Sequence, residues 1–523
     1  MGHRYAPKPT PDASTTEAAL DAMDAAELRA LIRDIIPWLD ESTHARLVNA
    51  LVDRAARNSS GWVPEGPNAT TVSNIMTFAE AAARVGHADP SEVDDYLRQG
   101  ASAFLGKDYQ AAFEIFRALL IPIGNVDIHI GQHEMIDEVL GVDVAACASQ
   151  YVVSMYMTAM PQNRGKAVLS AIDEMQGVGH FWEPLREMER VAVEPLPELD
   201  DFLGQWRSLV EERTAKNRNT DWDSDEDRWL REVVARTEGP QGLAKVARVT
   251  RRAADLRAWC RALVETGDWK ASLAAHDEAA DLVTDKAYSR GDFLDGAALA
   301  AQELGRKDLP KRLERAWREA PSMVRLRRWL GTSKTMRVLS QRVAEAQCAT
   351  PKQAHRQRAL LHVLEGDFCA AAKLLAAAPG LGWSSGDHPG HLIFPLFCTV
   401  LGGLTSFEIE SRDLDDLSSP ADLDEPRLLT PQIPALLEQA AVATPPDSKT
   451  RTAVFKAMRK TAEKRIEGVT ENKRRRHYEH AASLAAACIV VDKTPAAAAW
   501  MASLRDEYRR FPALQREFNR CEN

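Results

Sequence analysis

Apolar residues recur at intervals of three and four positions along most of the chain, which is the spacing that one face of an α-helix requires. In the N-terminal part, Leu28, Leu31 and Ile35 follow this spacing, and Leu47 and Leu51 continue it. Alanine, leucine, arginine and glutamate are abundant throughout, and these residues lose little conformational entropy in a helix. The pattern therefore predicts an all-α protein.

Three short segments repeat one arrangement, in which an acidic turn is followed by an aromatic residue and then by a small residue at helical spacing. They begin Gly106-Lys107-Asp108-Tyr109, Gly267-Asp268-Trp269 and Gly366-Asp367-Phe368, and the small residues are Ala112, Ser272 and Ala371. Glycine suits the end of one helix and aspartate the start of the next. Each segment thus predicts a helical hairpin, with the aromatic ring in the groove between its two helices.

These segments resemble tetratricopeptide-type repeats. Gly267 and Gly366 are 99 residues apart, close to three units of the roughly 33–34 residues typical of two-helix repeats. The chain departs from the repeat pattern at His276, which stands where a large apolar residue is usual, and Pro122 and Pro379 only approximate the closing proline. The resemblance implies an α-solenoid of stacked antiparallel helical hairpins, in one or two halves, whose surface binds another protein.

The C-terminal segments 473–486 and 500–518 are similar to helical regions that accompany SWIM-type zinc fingers in bacterial proteins. The zinc motif of that family, C-x-C followed by C-x-H, does not occur in the chain. This second resemblance implies a bacterial helical protein and implies no zinc chemistry.

Changes in composition divide the chain into segments. Residues 214–228 are polar and charged, and they predict either a linker or a loop between two hairpins. The acidic, Ser- and Pro-rich residues 405–448 predict a long loop with one short helix near 432–442. The organisation that we expect is a disordered N terminus (1–16), an N-terminal helical-hairpin region (17–213), the linker (214–228), a tetratricopeptide-like region (229–404), the acidic loop (405–448) and a C-terminal helical block (449–523).

Length and composition exclude several classes of protein. A chain of 523 residues is too long for one ordinary core, so we expect two to four domains or one extended array. Seven scattered cysteines without a C-x-x-C pair indicate a reducing cytoplasm rather than a disulfide framework. Residues 1–16 lack the apolar core of a signal peptide, and the most apolar stretch, 392–404, has only 13 residues. We therefore expect a cytoplasmic protein and no membrane span.

One segment, 127–138, has the residue types of a metal site. If it is helical, His129, His133 and Asp137 lie on one face and could bind a divalent metal, with Glu134 as a general base. That interpretation would make the protein a metal-dependent hydrolase. Gly131 argues against it, because a glycine there marks the start of the helix and leaves His129 outside. We therefore prefer a capped helix between hairpins that binds no metal.

Other candidate chemistry is weak. His388 and His391 lie in a Gly/Ser/Pro turn, and His477 and His480 follow an arginine run, so we expect surface or helix-cap roles for both pairs. The sequence contains no G-x-S-x-G, Walker-type or Rossmann glycine pattern. We therefore predict no catalytic residue and no cofactor.

Charge is distributed unevenly although the net charge is only −10. Residues 306–342 contain 12 basic and three acidic residues, 449–480 contain 11 and four, and 406–447 contain two and ten. One hypothesis is that the basic helices, with Trp317 and Trp329 interleaved, bind phosphate or an acidic partner. The alternative, which we prefer, is that the acidic loop covers them or that they are solvated faces.

The sequence thus favours a non-catalytic scaffold or adaptor that binds a protein or peptide segment on a helical-repeat surface. A nucleic-acid-associated regulator that uses 306–342 and 449–480 is the alternative, and the hydrolase centred on 127–138 is the second alternative. The oligomeric state cannot be predicted. The residues that we expect to contact a partner are Arg325, Arg328, Trp329, Arg474, Arg475 and Arg476.

Overall fold

The computed structural model describes residues 13–58, 61–133, 135–217, 222–284, 286–383, 388–402, 426–442 and 447–522. Within these ranges the regular structure consists of 25 α-helices and a few short 3₁₀ turns, without a β-strand. The predicted all-α class is therefore confirmed. Consecutive helices pack against each other, as stacked hairpins require, and the relation to tetratricopeptide repeats stays a prediction.

The chain divides into two compact units, Met1–Gly242 and Leu243–Asn523. Unit 1 begins with three helices that contribute little to its core and continues with well-buried ones. Its helices are α1 (Ala13–Ala22), α2 (Ala25–Ile35), α3 (Glu41–Arg57), α4 (Ala69–Val85), α5 (Pro90–Leu105), α6 (Tyr109–Gly124), α7 (Val144–Thr158), α8 (Arg164–Glu174), α9 (Pro184–Val191), α10 (Leu199–Asn217) and most of α11 (Asp225–Thr250).

Unit 2 contains the second and third hairpin signatures and the C-terminal block. Its helices are α12 (Ala253–Glu265), α13 (Trp269–Leu282), α14 (Lys286–Glu303), α15 (Leu309–Glu319), α16 (Met323–Gly331), α17 (Met336–Ala349), α18 (His355–Leu364), α19 (Phe368–Ala377), α20 (Gly390–Gly402), α21 (Ile433–Gln439), α22 (Ser448–Glu471), α23 (Tyr478–Val491), α24 (Pro495–Glu507) and α25 (Pro512–Glu522).

The three predicted hairpin turns are present, and their geometry explains their sequences. The residue before each aspartate has a positive φ, which is 64° at Lys107, 70° at Gly267 and 77° at Gly366. Glycine adopts this conformation without strain, whereas the first hairpin places a lysine there and uses Gly106 one position earlier. Each aspartate carboxylate then accepts a hydrogen bond from a backbone N–H in the first turn of the next helix, at 3.1, 3.0 and 2.9 Å. The small residues that follow are fully buried: Ala112, Ser272 and Ala371.

The predicted linker 214–228 contains the end of α10 and the start of α11, and residues 218–221 lie outside the described ranges. The boundary between the units falls later, inside α11, where Gly239 has a φ of 62° and Pro240 follows. Proline lacks the N–H that continues the helical ladder and clashes with the preceding turn, so the helix kinks there.

Parts of other predicted segments are also outside the described ranges. Residues 13–16 of the predicted disordered N terminus form the first part of α1, and 1–12 are not described. Of the acidic loop, residues 405–425 and 443–446 are not described. The remaining part contains α21, which confirms the predicted short helix.

Residues 392–402 of the most apolar stretch lie in α20. Ile393, Phe394 and Phe397 on this helix are completely buried in the hydrophobic core of unit 2. Among the helices within the described ranges, none is long and apolar enough to cross a membrane.

Candidate functional site

The 127–138 segment does not form the predicted helix. Only Ile136–Glu138 make a short 3₁₀ turn, and the backbone of His129 instead pairs with that of His87 in an isolated β-bridge. The His129 ring accepts a hydrogen bond from the Gly131 backbone at 3.1 Å. The helical face that would bring His129, His133 and Asp137 together is therefore absent, and the prediction of a helix here is wrong.

The side chains of this segment do not converge either. The backbone N–H of His133 donates to the Glu138 carboxylate at 3.1 Å, and Glu134 lies outside the described ranges. Within those ranges, no group of three His, Cys, Asp or Glu side chains is arranged to bind a metal.

The basic segment 306–342 is partly neutralised by carboxylates on its own helices and on neighbouring ones. Arg312 pairs with Asp277 of α13 at 2.8 Å, and Arg318 pairs with Glu314 of its own helix at 2.7 Å. Arg315 pairs with Glu319 at 2.8 Å. About half of the cations in this segment are thus held by carboxylates close to them in the fold, so the segment offers less positive charge than its sequence indicates.

Two of the predicted partner-binding residues are in the core. Arg328 and Trp329 are each only 1% exposed, and Trp329 stacks on Trp317 with ring centroids 5.0 Å apart. Arg328 donates to the Thr430 hydroxyl at 2.8 Å, and Arg325 donates to Asp295 at 2.8 Å. The correction is that Arg328 and Trp329 cannot contact a partner directly, because their side chains hold α16 against its neighbours.

The same region does contain an open groove between α15 and α17. The α15–α17 groove has a volume of about 560 Å³, and its lining combines one cation, one anion and several small residues. The lining residues are Arg318, Gln341, Ala344, Glu345, Cys348 and Ala349. The α17 residues that line the groove are exposed and mostly small, so the groove is shallow and open to solvent.

The positive wall of this groove is fixed in place. The Arg318 guanidinium lies 5.8 Å from the Trp317 ring centroid and 5.7 Å from that of Trp329. Cation–π attraction and the ion pair with Glu314 hold the arginine over the tryptophan pair. The tryptophans do not line the groove themselves, but they contact the arginine that does.

The second basic segment is exposed. Arg474, Arg475 and Arg476 lie at the end of α22 and in a 3₁₀ turn before α23, and all three are exposed. In the part of the chain that the structure describes, no carboxylate forms an ion pair with them. Their predicted availability to a partner stays a prediction.

Both members of the first histidine pair and one member of the second lie around one tryptophan, an arrangement that no sequence pattern predicts. The Trp383 ring centroid lies 4.5 Å from that of His388, 5.2 Å from that of His391 and 4.8 Å from that of His480. We call these four residues the His–Trp cluster. The pairs are almost 90 positions apart in sequence, so no local pattern links them.

Comparisons with known proteins give no family. No protein-family model matches the chain, and no curated protein is significantly similar to it.

Proposed function

We propose that the protein is a non-catalytic adaptor that binds a segment of a partner protein in the α15–α17 groove. The observation that carries this proposal is an open groove whose floor consists of small side chains and whose rim presents Arg318 and Glu345. The free thiols of the described cysteines are compatible with action in the reducing cytoplasm.

The groove defines the kind of segment that fits. A volume of about 560 Å³ accommodates one or two large side chains. Ala344 and Cys348 are one helical turn apart, so an aromatic or large aliphatic side chain would rest between them. Glu345 would pair with a basic residue beside that anchor, whereas Arg318 stays ion-paired with Glu314 and contributes its aliphatic stem to the rim. This combination is typical of a helix or an extended segment that binds in a groove.

The experiment selects ligands from a phage-displayed peptide library on the full chain and measures their affinity by fluorescence anisotropy. Ala344→Arg places a long charged side chain in the groove and should weaken binding at least about tenfold, or roughly 1.4 kcal/mol. Ala498→Arg is the matched control, since Ala498 is an exposed alanine on α24 that does not line the groove. Equal loss in both variants, or no loss in either, would refute the proposal.

Nucleic acid is the second candidate ligand, and the exposed Arg474, Arg475 and Arg476 favour it. A triple alanine variant at these positions should then abolish the salt-sensitive binding of a single-stranded oligonucleotide. The matched control replaces three exposed lysines in the other basic segment, Lys307, Lys311 and Lys334. If the wild-type chain does not bind at low salt, this candidate is excluded.

A further inference from the structure

Arg465 is a buried cation without a counter-ion among the residues that the structure describes. It lies on α22, is 4% exposed and forms one hydrogen bond, from Nη1 to the Gly380 carbonyl at 3.3 Å. Its Nε has no hydrogen-bond partner, and within the described ranges no carboxylate forms an ion pair with it. Burying an unpaired charge is costly, so native proteins pair such groups or bind an ion to them.

The groups around Arg465 make this environment more positive. Its Cζ lies 5.9 Å from the Trp383 ring centroid, which connects it to the His–Trp cluster. Burial and the nearby Arg474 lower the pKa of Arg465 to about 10, so the guanidinium still carries its charge at neutral pH. Burial and Arg465 lower the pKa of His480 to about 3, which keeps that ring neutral.

Two helix N-termini meet at the same place. His391 is the second residue of α20 and His480 is the third residue of α23, and these two helices pack against each other. No side chain caps the N terminus of α23. The positive ends of both helix dipoles therefore add to the charge of Arg465.

Three buried donors near these termini have no acceptor within the described ranges. Besides Arg465 Nε, they are Trp383 Nε1, on a side chain that is 4% exposed, and Nδ1 of His480. A neutral imidazole can carry its proton on Nδ1 and donate from it. A bound anion would supply the acceptors that these donors lack and a counter-charge for Arg465.

We infer that Trp383, Arg465 and His480 bind a phosphate-type oxyanion between the N-termini of α20 and α23. Several donors of different geometry suit a group with three or four acceptor oxygens better than a single halide. Arginine can also bind two oxygens of one phosphate through its planar guanidinium. The exposed Arg474, Arg475 and Arg476 would attract such a ligand from solution. This site is separate from the α15–α17 groove and does not depend on the proposed adaptor function.

The test measures thermal unfolding of the full chain with sodium phosphate and with O-phosphoserine, each balanced with chloride to constant ionic strength. At about ten times the dissociation constant, the ligand should raise the melting temperature by about 2–4 °C. Inorganic phosphate represents a free anion, and O-phosphoserine represents a phosphate monoester. The probe that binds more tightly shows which of these two forms the site prefers. Phosphorus NMR line broadening of the same ligands provides a second readout of binding.

Arg465→Met distinguishes a ligand site from a structural arginine. Because the substitution removes an unpaired buried charge, the variant should melt no lower than wild type in the absence of phosphate. Its melting temperature should not change when phosphate is added. Arg459→Met is the matched control on the same helix. Arg459 is ion-paired with Asp492, so this variant should melt lower and keep the phosphate shift. His480→Gln should retain the fold and weaken phosphate binding several-fold.

Three outcomes would overturn the inference. The first is a wild-type protein whose melting temperature does not respond to either phosphate probe. The second is a lower melting temperature in Asp387→Asn together with no phosphate response, since Asp387, which precedes His388 in the sequence, would then be the counter-ion. The third is a shift with a short oligonucleotide and none with inorganic phosphate, which would assign the surface to nucleic acid.

Discussion

Replacement of Gly296 by alanine should destabilise unit 2, which is opposite to the usual effect of this substitution in a helix. Gly296 lies in α14, where a Cβ atom would overlap the ring of His276 on α13, including an approach of 3.0 Å to Cγ. His276 is buried and cannot move freely, because its Nδ1 hydrogen-bonds the Ser272 carbonyl at 2.8 Å. The absence of a side chain at Gly296 is therefore what allows α13 and α14 to pack closely.

The magnitude follows from three contributions. Alanine in place of glycine inside a helix normally stabilises by roughly 0.5–1 kcal/mol. Overpacking a well-ordered core costs about 1–3 kcal/mol. Displacement of His276 also loses a hydrogen bond worth about 1 kcal/mol. The net expectation is a loss of about 1–3 kcal/mol in the free energy of unfolding.

A double-mutant cycle isolates the contact between the two side chains. In a His276→Ala background the obstacle is gone, so Gly296→Ala should stabilise by about 0.5–1 kcal/mol, and the coupling energy should be about 2–4 kcal/mol. Urea unfolding followed by circular dichroism measures each corner of the cycle. Gly204→Ala on α10 is the control, since a Cβ there meets no atom within 4 Å and should stabilise. If Gly296→Ala is neutral in both backgrounds, the packing argument is refuted.

The remaining predictions concern a helix cap, a carboxyl and the thiols. Asp367→Ala should destabilise by about 1 kcal/mol because its carboxylate caps α19, whereas Asp367→Asn should keep most of the stability in the same urea assay. Burial raises the pKa of Glu232 to about 7, so the stability that its protonated form contributes should be present below pH 4.5 and lost as the pH rises through 7. Glu232→Gln should reduce this dependence of the free energy of unfolding on pH, as urea titrations at pH 4.5–8 can measure. N-ethylmaleimide should modify exposed Cys348 and Cys369 rapidly and buried Cys147 and Cys488 only after unfolding, as mass spectrometry can show.

The hairpins were predictable because their signals are local. At Gly366 and Asp367, adjacent residues provide the helix end and the cap of the next helix, and the aromatic and small residues follow within four positions. The 127–138 segment also contained a local signal, which the helical interpretation overlooked. Ile128 and Ile130 are buried while His129 between them is exposed, and this alternation of period two is typical of extended backbone. Gly131, with a φ of 91°, is also incompatible with a continuous helix.

The partner-binding residues could not be predicted from local sequence. Whether the charge of an arginine is available to a partner depends on carboxylates that lie far away in the sequence. Arg325, for example, is paired with Asp295. A basic run therefore indicates positive charge on a segment but does not show whether that charge is available. The same reasoning applies to the His–Trp cluster, since its parts come together only when α20 packs against α23.

The two basic segments both carry a large excess of basic residues but differ in how this charge is compensated, and this difference decides where an anion can bind. In 306–342, Arg312, Arg315 and Arg318 each have a carboxylate within 3 Å, so an incoming anion would have to compete with an existing ion pair. On α22, Arg465 is buried without an ion-paired carboxylate in the described part of the chain, and Arg474 adds repulsion. An anion there would relieve an unfavourable charge rather than replace a favourable one. Affinity for anions should therefore depend on the uncompensated Arg465 and not on the segment with the larger net charge.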